Sequence, residues 1–301
     1  MVSKKVISQN IKESIDEFTL KKIYPVGAAK KLAKILYILK GKDKNVFTKK
    51  RGKNSGKFEI PNKKVWEVLV DCWDYGIALR FTRKELTLMD DTGRYIYDKF
   101  DSYTSAETQY RNEFKKIEKD WLVSQGNLNQ YIQHIKRKRG IPERERQRLV
   151  TTATLNAYQR SRFTEVRNDF IEYEIVKNND NVFPTLKNSA GVDYFLDGIP
   201  FDQKVSSGLG RSFISGFDSE EEAVSAALKN PDKLALNLFE NQDVSRLDTT
   251  NLNRLYVIFL DGGLPDNIKF RSLSISKVKS YNLKFKLNKT QYPGKAIVLF
   301  V

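Results

Sequence analysis

Between Leu149 and Val176 the chain reads as one long helix, and directly after it the hydrophobic period changes. Phe163, Val166, Phe170 and Tyr173 recur at helical intervals and form one apolar stripe. Residues 191–207, GVDYFLDGIPFDQKVSS, then carry short alternating runs around Asp197-Gly198-Ile199-Pro200. A period of two interrupted by Gly and Pro predicts two short strands joined by a turn. Further on, Ser219-x-x-Glu222 has the form of a capping box that opens a helix through about Leu228, and a second helix is expected over Pro231 to Asn241. Leu252 to Leu260 and Lys295 to Val301 are apolar runs of strand length. Helix, hairpin, helix, strand, strand is the order of a mixed α/β or α+β domain.

The hairpin concentrates chemistry on one face. If Leu196 and Phe201 close a four-residue loop, Asp193 falls opposite Lys204, and Phe195 opposite Asp202. Side chains alternate faces along a strand. Asp193, Asp202 and Lys204 therefore share one face. Val192, Tyr194, Leu196, Phe201 and Val205 share the other, which is apolar and should pack on the core; Gln203 lies on that side too. Two carboxylates and an ammonium brought this close suit hydrolysis of a phosphodiester. The carboxylates can hold Mg2+, which prefers oxygen ligands. The ion polarises a phosphoryl oxygen and makes a bound water more acidic. The lysine can orient the attacking water and offset charge in the transition state.

Asp193 followed by Asp202-Gln203-Lys204 on a hairpin resembles the PD-(D/E)xK nuclease superfamily, the fold of many restriction endonucleases. The resemblance covers about residues 150–260. It implies a restriction-endonuclease-like core, a mixed central sheet flanked by helices, and Mg2+-dependent cleavage of DNA. It also implies a further metal-binding Glu on the preceding helix. Glu165, 28 residues before Asp193 and off the apolar stripe, fits that role best, with Glu172 next. The sequence departs from the family pattern in having Val192, not Pro, before the first Asp, and a short gap from Asp193 to Asp202. A second copy of the tripeptide, Glu113-Phe114-Lys115, lies in a charged helix-like stretch with no partner Asp on a neighbouring strand, and is set aside.

Charge divides the 301 residues unevenly. Residues 1–150 hold 34 Lys+Arg against 19 Asp+Glu, a net of +15, while residues 151–301 hold 19 against 18, a net of +1. A half that carries nearly all the excess charge is expected to grip a polyanion, and double-stranded DNA is the first candidate. Residues 1–148 thus read as a basic, mainly helical DNA-binding region, and residues 149–301 as the nuclease domain. Within the first half, residues 8–40 read as helical and 41–57 as a flexible basic loop. Val65 to Tyr75 resumes a helix, and Ile77 to Met89 before Asp91-Thr92-Gly93 suggests a small hairpin of winged-helix type. Residues 105–135 are amphipathic and helix-like. KRKRGIPERERQR, residues 136–148, then breaks the helix at Gly140-Ile141-Pro142. Lys49, Lys50, Arg51, Lys53, Lys57, Lys136, Arg137, Lys138, Arg139 and Arg211 are the expected phosphate contacts. Ser206, Ser207, Asn241, Gln242, Arg246 and Arg254 are polar residues open to either a structural or a substrate-binding role.

Several classes are excluded. One cysteine, Cys72, allows no intrachain disulfide and suits a reducing cytoplasm. No apolar run reaches the roughly 20 residues that span a bilayer, and the N-terminus lacks a signal-peptide core. His134 is the only histidine, so His-Asn-His nuclease sites, Cys/His zinc sites and Cys-His hydrolases are ruled out. No GxxxxGK[ST] or GxGxxG occurs. The expected activity is a type II restriction endonuclease, working as a homodimer with a separately encoded DNA methyltransferase. The alternatives are a structure-specific repair or recombination nuclease, a non-catalytic DNA-binding protein, or an enzyme acting on RNA.

Overall fold

A computed structural model describes residues 10–50, 52, 55–85, 128–187, 191–242, 251–260, 275, 278–287 and 290–301, without the side chains of residues 160, 162, 165, 166 and 287. The chain forms two compact units, Met1–Ser102 with Glu174–Val301, and Tyr103–Tyr173. This grouping does not follow the charge boundary at residue 148. N-terminal segments pack with the sheet-forming half. Ile11 N–H donates to the Gly198 carbonyl at 3.0 Å, Trp73 Nε1 donates to the Ile11 carbonyl at 2.8 Å, and Leu186 N–H donates to the Ile23 carbonyl at 2.8 Å.

In the first unit, α1 (Glu17–Ile23) opens on Asp16, whose carboxylate accepts the Thr19 N–H at 2.6 Å. Pro25 separates it from α2 (Val26–Leu39), which buries Ala28, Ala29, Leu32, Ala33 and Leu36 on one face. The loop expected over 41–57 carries local structure in its described residues. Lys44–Phe47 is a 3₁₀ turn, Thr48 bridges Phe58, and Tyr37 packs its ring against Phe47 and Phe58. α3 (Val65–Asp71) follows, and then α4 (Tyr75–Glu85). α4 corrects the expected hairpin over Ile77 to Met89 as far as residue 85; residues 86–127, including Asp91-Thr92-Gly93, lie outside the described residues. The reason is local. Asp74 accepts the Ile77 N–H at 2.9 Å and caps a helix, and Ala78, Phe81, Thr82 and Glu85 then repeat on its buried face. The Tyr24 and Thr82 hydroxyls bond at 2.7 Å and join α4 to the end of α1.

The second unit contains α5 (Leu128–Arg137) and most of α6 (Glu143–Asn178), broken between them at Gly140-Ile141-Pro142 as expected. The Arg146 guanidinium donates to the carbonyls of Ile135, Lys136, Lys138 and Ile141, so one cation satisfies the open end of α5 and the turn after it.

The last residues of α6 return to the first unit, which then builds a six-stranded mixed sheet in the order β1-β2-β3-β4-β6-β5. Its strands are β1 (Val182–Pro184), β2 (Tyr194–Leu196), β3 (Ile199–Ser206), β4 (Arg254–Ile258), β5 (Ser280–Leu287) and β6 (Thr290–Phe300). β3–β4 and β4–β6 are parallel and the other pairs antiparallel. Between β3 and β4 run α7 (Arg211–Ile214), α8 (Glu220–Lys229) and α9 (Pro231–Glu240). Ser219 accepts the Glu222 N–H at 3.1 Å, which is half of the predicted capping box; Glu222 itself accepts from Asp218 N–H. Phe213, Ala223, Ala227, Leu234, Ala235 and Phe239 from these helices bury one face of β4, β5 and β6 through Tyr256, Ile258, Phe285, Ala296 and Val298. The chain is a mixed α/β protein with a helical N-terminal part. Among the described residues no helix is long and apolar enough to cross a membrane.

Candidate active site

The β2–β3 hairpin turns in two residues, not four. Asp197 and Gly198 have φ of 51° and 84°, both left-handed, as a type I′ Asp-Gly turn requires. Leu196 pairs with Ile199 and Tyr194 with Phe201, a shift of two residues from the expected register. A two-residue shift leaves every side chain on its expected face. It does change who is opposite whom. The paired residues end at Tyr194 and Phe201; Asp193 lies one residue beyond them, near enough for its charge to act on Asp202.

Asp193 sits where the β2–β3 ladder loosens. Its N–H donates to the Phe201 carbonyl at 2.9 Å, its carbonyl accepts the Thr185 hydroxyl at 2.9 Å, and its Oδ2 accepts the Gln203 N–H at 2.6 Å. The carboxylate thus replaces a missing backbone acceptor, and both its backbone and side chain are fixed. The loop before it is tied as well, because Asn251 Nδ2 donates to the Gly191 carbonyl at 2.7 Å. Gln203 faces away from the carboxylates, as expected, where Tyr194 donates its hydroxyl to Gln203 Oε1 at 3.4 Å.

Asp202 is buried and stands between two cations. Lys204 Nζ donates to Oδ1 at 2.6 Å, and Arg254 Nη1 lies 3.5 Å from Oδ2. The two cations differ in kind. The Lys204 side chain is 43% exposed and that of Arg254 is 0% exposed. Burial pushes the Asp202 carboxyl above the usual carboxylate range; Arg254 and then Lys204 pull it back, and Asp193 adds to the rise. Arg254 pairs with Asp202 in the parallel β3–β4 register. Tyr256, next along β4 on that face, has its hydroxyl raised by burial, and Gln242 Nε2 donates to it at 3.3 Å.

This donor set fits a hard divalent cation. Asp193 and Asp202 supply carboxylate oxygens of the kind such an ion prefers, and Asp202 Oδ1 already receives a positive group from Lys204. Among the described residues no cluster of three or more His, Cys, Asp or Glu side chains forms. Glu165 lies on α6, and its side chain is outside the described residues. Glu172 is buried on the same helix.

The expected phosphate contacts divide as follows. Lys49, Lys50 and Lys57 are exposed; Lys49 bonds back to Lys57 through the backbone and pairs with Glu59 at 3.1 Å. Arg51 and Lys53 lie outside the described residues, as does Arg246. Lys136, Arg137, Lys138 and Arg139 are exposed at the end of α5, and Arg211 is exposed at the start of α7. Ser206 donates to the Gly208 carbonyl, and Asn241 donates to Ser212 and to the Asn237 carbonyl, so these polar groups serve local structure. No protein-family model, no curated protein and no solved structure matches the chain.

Proposed function

We propose that this chain is a Mg2+-dependent endonuclease that hydrolyses DNA phosphodiester bonds, of the restriction-endonuclease-like PD-(D/E)xK type. The observation that carries this reading is the contact of Lys204 with Asp202 on β3, with Lys204 partly open to solvent and the Asp193 carboxylate tied to the Gln203 N–H beside them. An antiparallel hairpin followed by helices and a parallel apolar strand supports the same reading, since the resemblance leads one to expect that order.

Asp193 and Asp202 would hold the ion, which supplies Lewis-acid polarisation of a phosphoryl oxygen and a more acidic bound water. Asp193 is pre-set for this by the Gln203 and Thr185 bonds, which cost no reorganisation when substrate arrives. Lys204, released from Asp202, orients the attacking water and offsets charge on the phosphoryl group. The basic residues of the N-terminal half give affinity through phosphate, with a binding constant that falls steeply with salt. Severing both strands calls for two such sites, so a homodimer is the expected working form, and a separately encoded methyltransferase would protect the host.

The test is incubation of the purified chain with long duplex DNA, in Mg2+ or in EDTA, read on a gel. Discrete fragments in Mg2+ alone are expected. Intact DNA in Mg2+, under conditions where the protein binds it, would overturn the nuclease reading.

A further inference from the structure

We propose that Arg254 is a positioning residue of this site: it holds Asp202 through Oδ2 and leaves Oδ1 as the oxygen offered to a cation. The proposal rests on the metal-site reading above.

Arg254 heads a strand that is otherwise Leu255, Tyr256, Val257 and Ile258, all buried. It is the largest fully buried side chain in the described chain. Nη1 donates to the carbonyls of Asn251 and Asn253, both at 3.0 Å, and the guanidinium lies 5.5 Å from the centre of the Phe239 ring. Nε and Nη2 are buried with no hydrogen-bond partner among the described residues. A guanidinium used only to stabilise the core would be a poor choice here. Burying a charge is costly, and apolar residues of similar size often replace buried ion pairs without loss. Two nitrogens left without hydrogen bonds add to that cost.

What the position offers is rigidity beside Asp202. The carboxylate has one oxygen on a fixed, buried cation and the other on a half-exposed, flexible one. Lys204 is the partner that could yield Oδ1 to a divalent ion, whereas Arg254 is enclosed beside Oδ2. Arg254 therefore fixes which oxygen of Asp202 faces the site. Groups that orient a metal ligand from behind typically contribute about 10–100-fold to metal affinity.

The experiment is Mn2+ titration of the full chain without DNA, followed by electron paramagnetic resonance, on the unmodified protein, Asp202→Asn, Arg254→Met and Arg254→Lys. Folding is checked by circular dichroism. Both Arg254 variants should bind Mn2+ about 10–100-fold more weakly than the unmodified chain. Unchanged affinity would make Arg254 a core ion pair only, and tighter binding in Arg254→Met would make it a repelling charge; either overturns the proposal. Should the Arg254 variants fail to fold, Phe239→Leu, which removes the ring beneath the guanidinium, must weaken binding in the same direction, and unchanged affinity there overturns the proposal. Binding abolished by Asp202→Asn yet unaltered in the Arg254 variants would spare the metal site and sink only the role of Arg254. No Mn2+ binding by the unmodified chain would overturn both.

Discussion

Replacing Lys204 with Met separates activity from stability. The ammonium touches Asp202 Oδ1 at 2.6 Å, but the side chain is 43% exposed. An ion pair so open to solvent is worth about 0–1 kcal/mol. Met keeps most of the stem, and Asp202 keeps Arg254 on its other oxygen. For a unit of this size 1 kcal/mol moves Tm by about 2–4 °C, so the variant should melt within that range of the unmodified chain. The loss in catalysis is larger. Removing one preorganised group aimed at developing charge costs roughly 10²–10³ in rate, or about 2.7–4 kcal/mol of transition-state stabilisation. The assay is single-turnover cleavage of a duplex in Mg2+, with a thermal melt of the same preparation. A variant that cuts at the normal rate would refute the role of Lys204. A Tm lowered by more than about 10 °C would refute the argument that the pair is energetically minor.

Three other outcomes follow from the same structure. Changing Lys49, Lys50 and Lys57 together to Gln should weaken duplex binding and flatten its dependence on salt by about 0.9 per lysine that touches phosphate; an unchanged slope would show that this loop does not meet DNA. Lys30 and Lys49 hold the Glu59 carboxyl down from 4.5 to about 2. A depressed carboxylate stabilises the fold above its unfolded value and loses that contribution as pH falls through its folded value. Denaturant unfolding should therefore show Glu59→Gln less stable than the unmodified chain at pH 7, with the gap closing between pH 4.5 and about 2; a gap that persists at pH 2 would contradict the pairing. Gly198→Ala puts a methyl group at φ 84°, where it would meet Asn10 Oδ1 and the Ile11 nitrogen. The left-handed conformation alone costs about 1–2 kcal/mol, so urea unfolding should shift by at least that amount, and a neutral substitution would mean that the turn is not held as described.

Much of the site was legible because parity survives errors of register. Reading the loop as four residues misplaced the pairing by two positions, yet Asp202 and Lys204 stayed on one face of β3, while Asp193 lies beyond the paired residues. The correct turn was available in Asp197-Gly198, a strong hairpin dipeptide. α4 was misread because short runs such as ALRFT fit either period; the discriminating signal was Asp74, a helix cap three residues before Ile77. β1 has only three residues and carries no period of its own. β5 was readable, since Tyr281, Leu283, Phe285 and Leu287 alternate with polar residues. Arg254 was noticed as one of several polar residues, but its meaning depends on the β3–β4 pairing with Asp202, which is a long-range fact that no local pattern encodes. The packing of the basic N-terminal segment against the hairpin turn is hidden from sequence for the same reason, because charge composition does not report contacts.

The most direct test of the central claim is Asp202→Ala, assayed for cleavage and for duplex binding on the same preparation. The account predicts that cleavage in Mg2+ is abolished while the complex with duplex still forms. Normal cutting by Asp202→Ala would contradict it, and the active site would then have to be sought elsewhere in the chain.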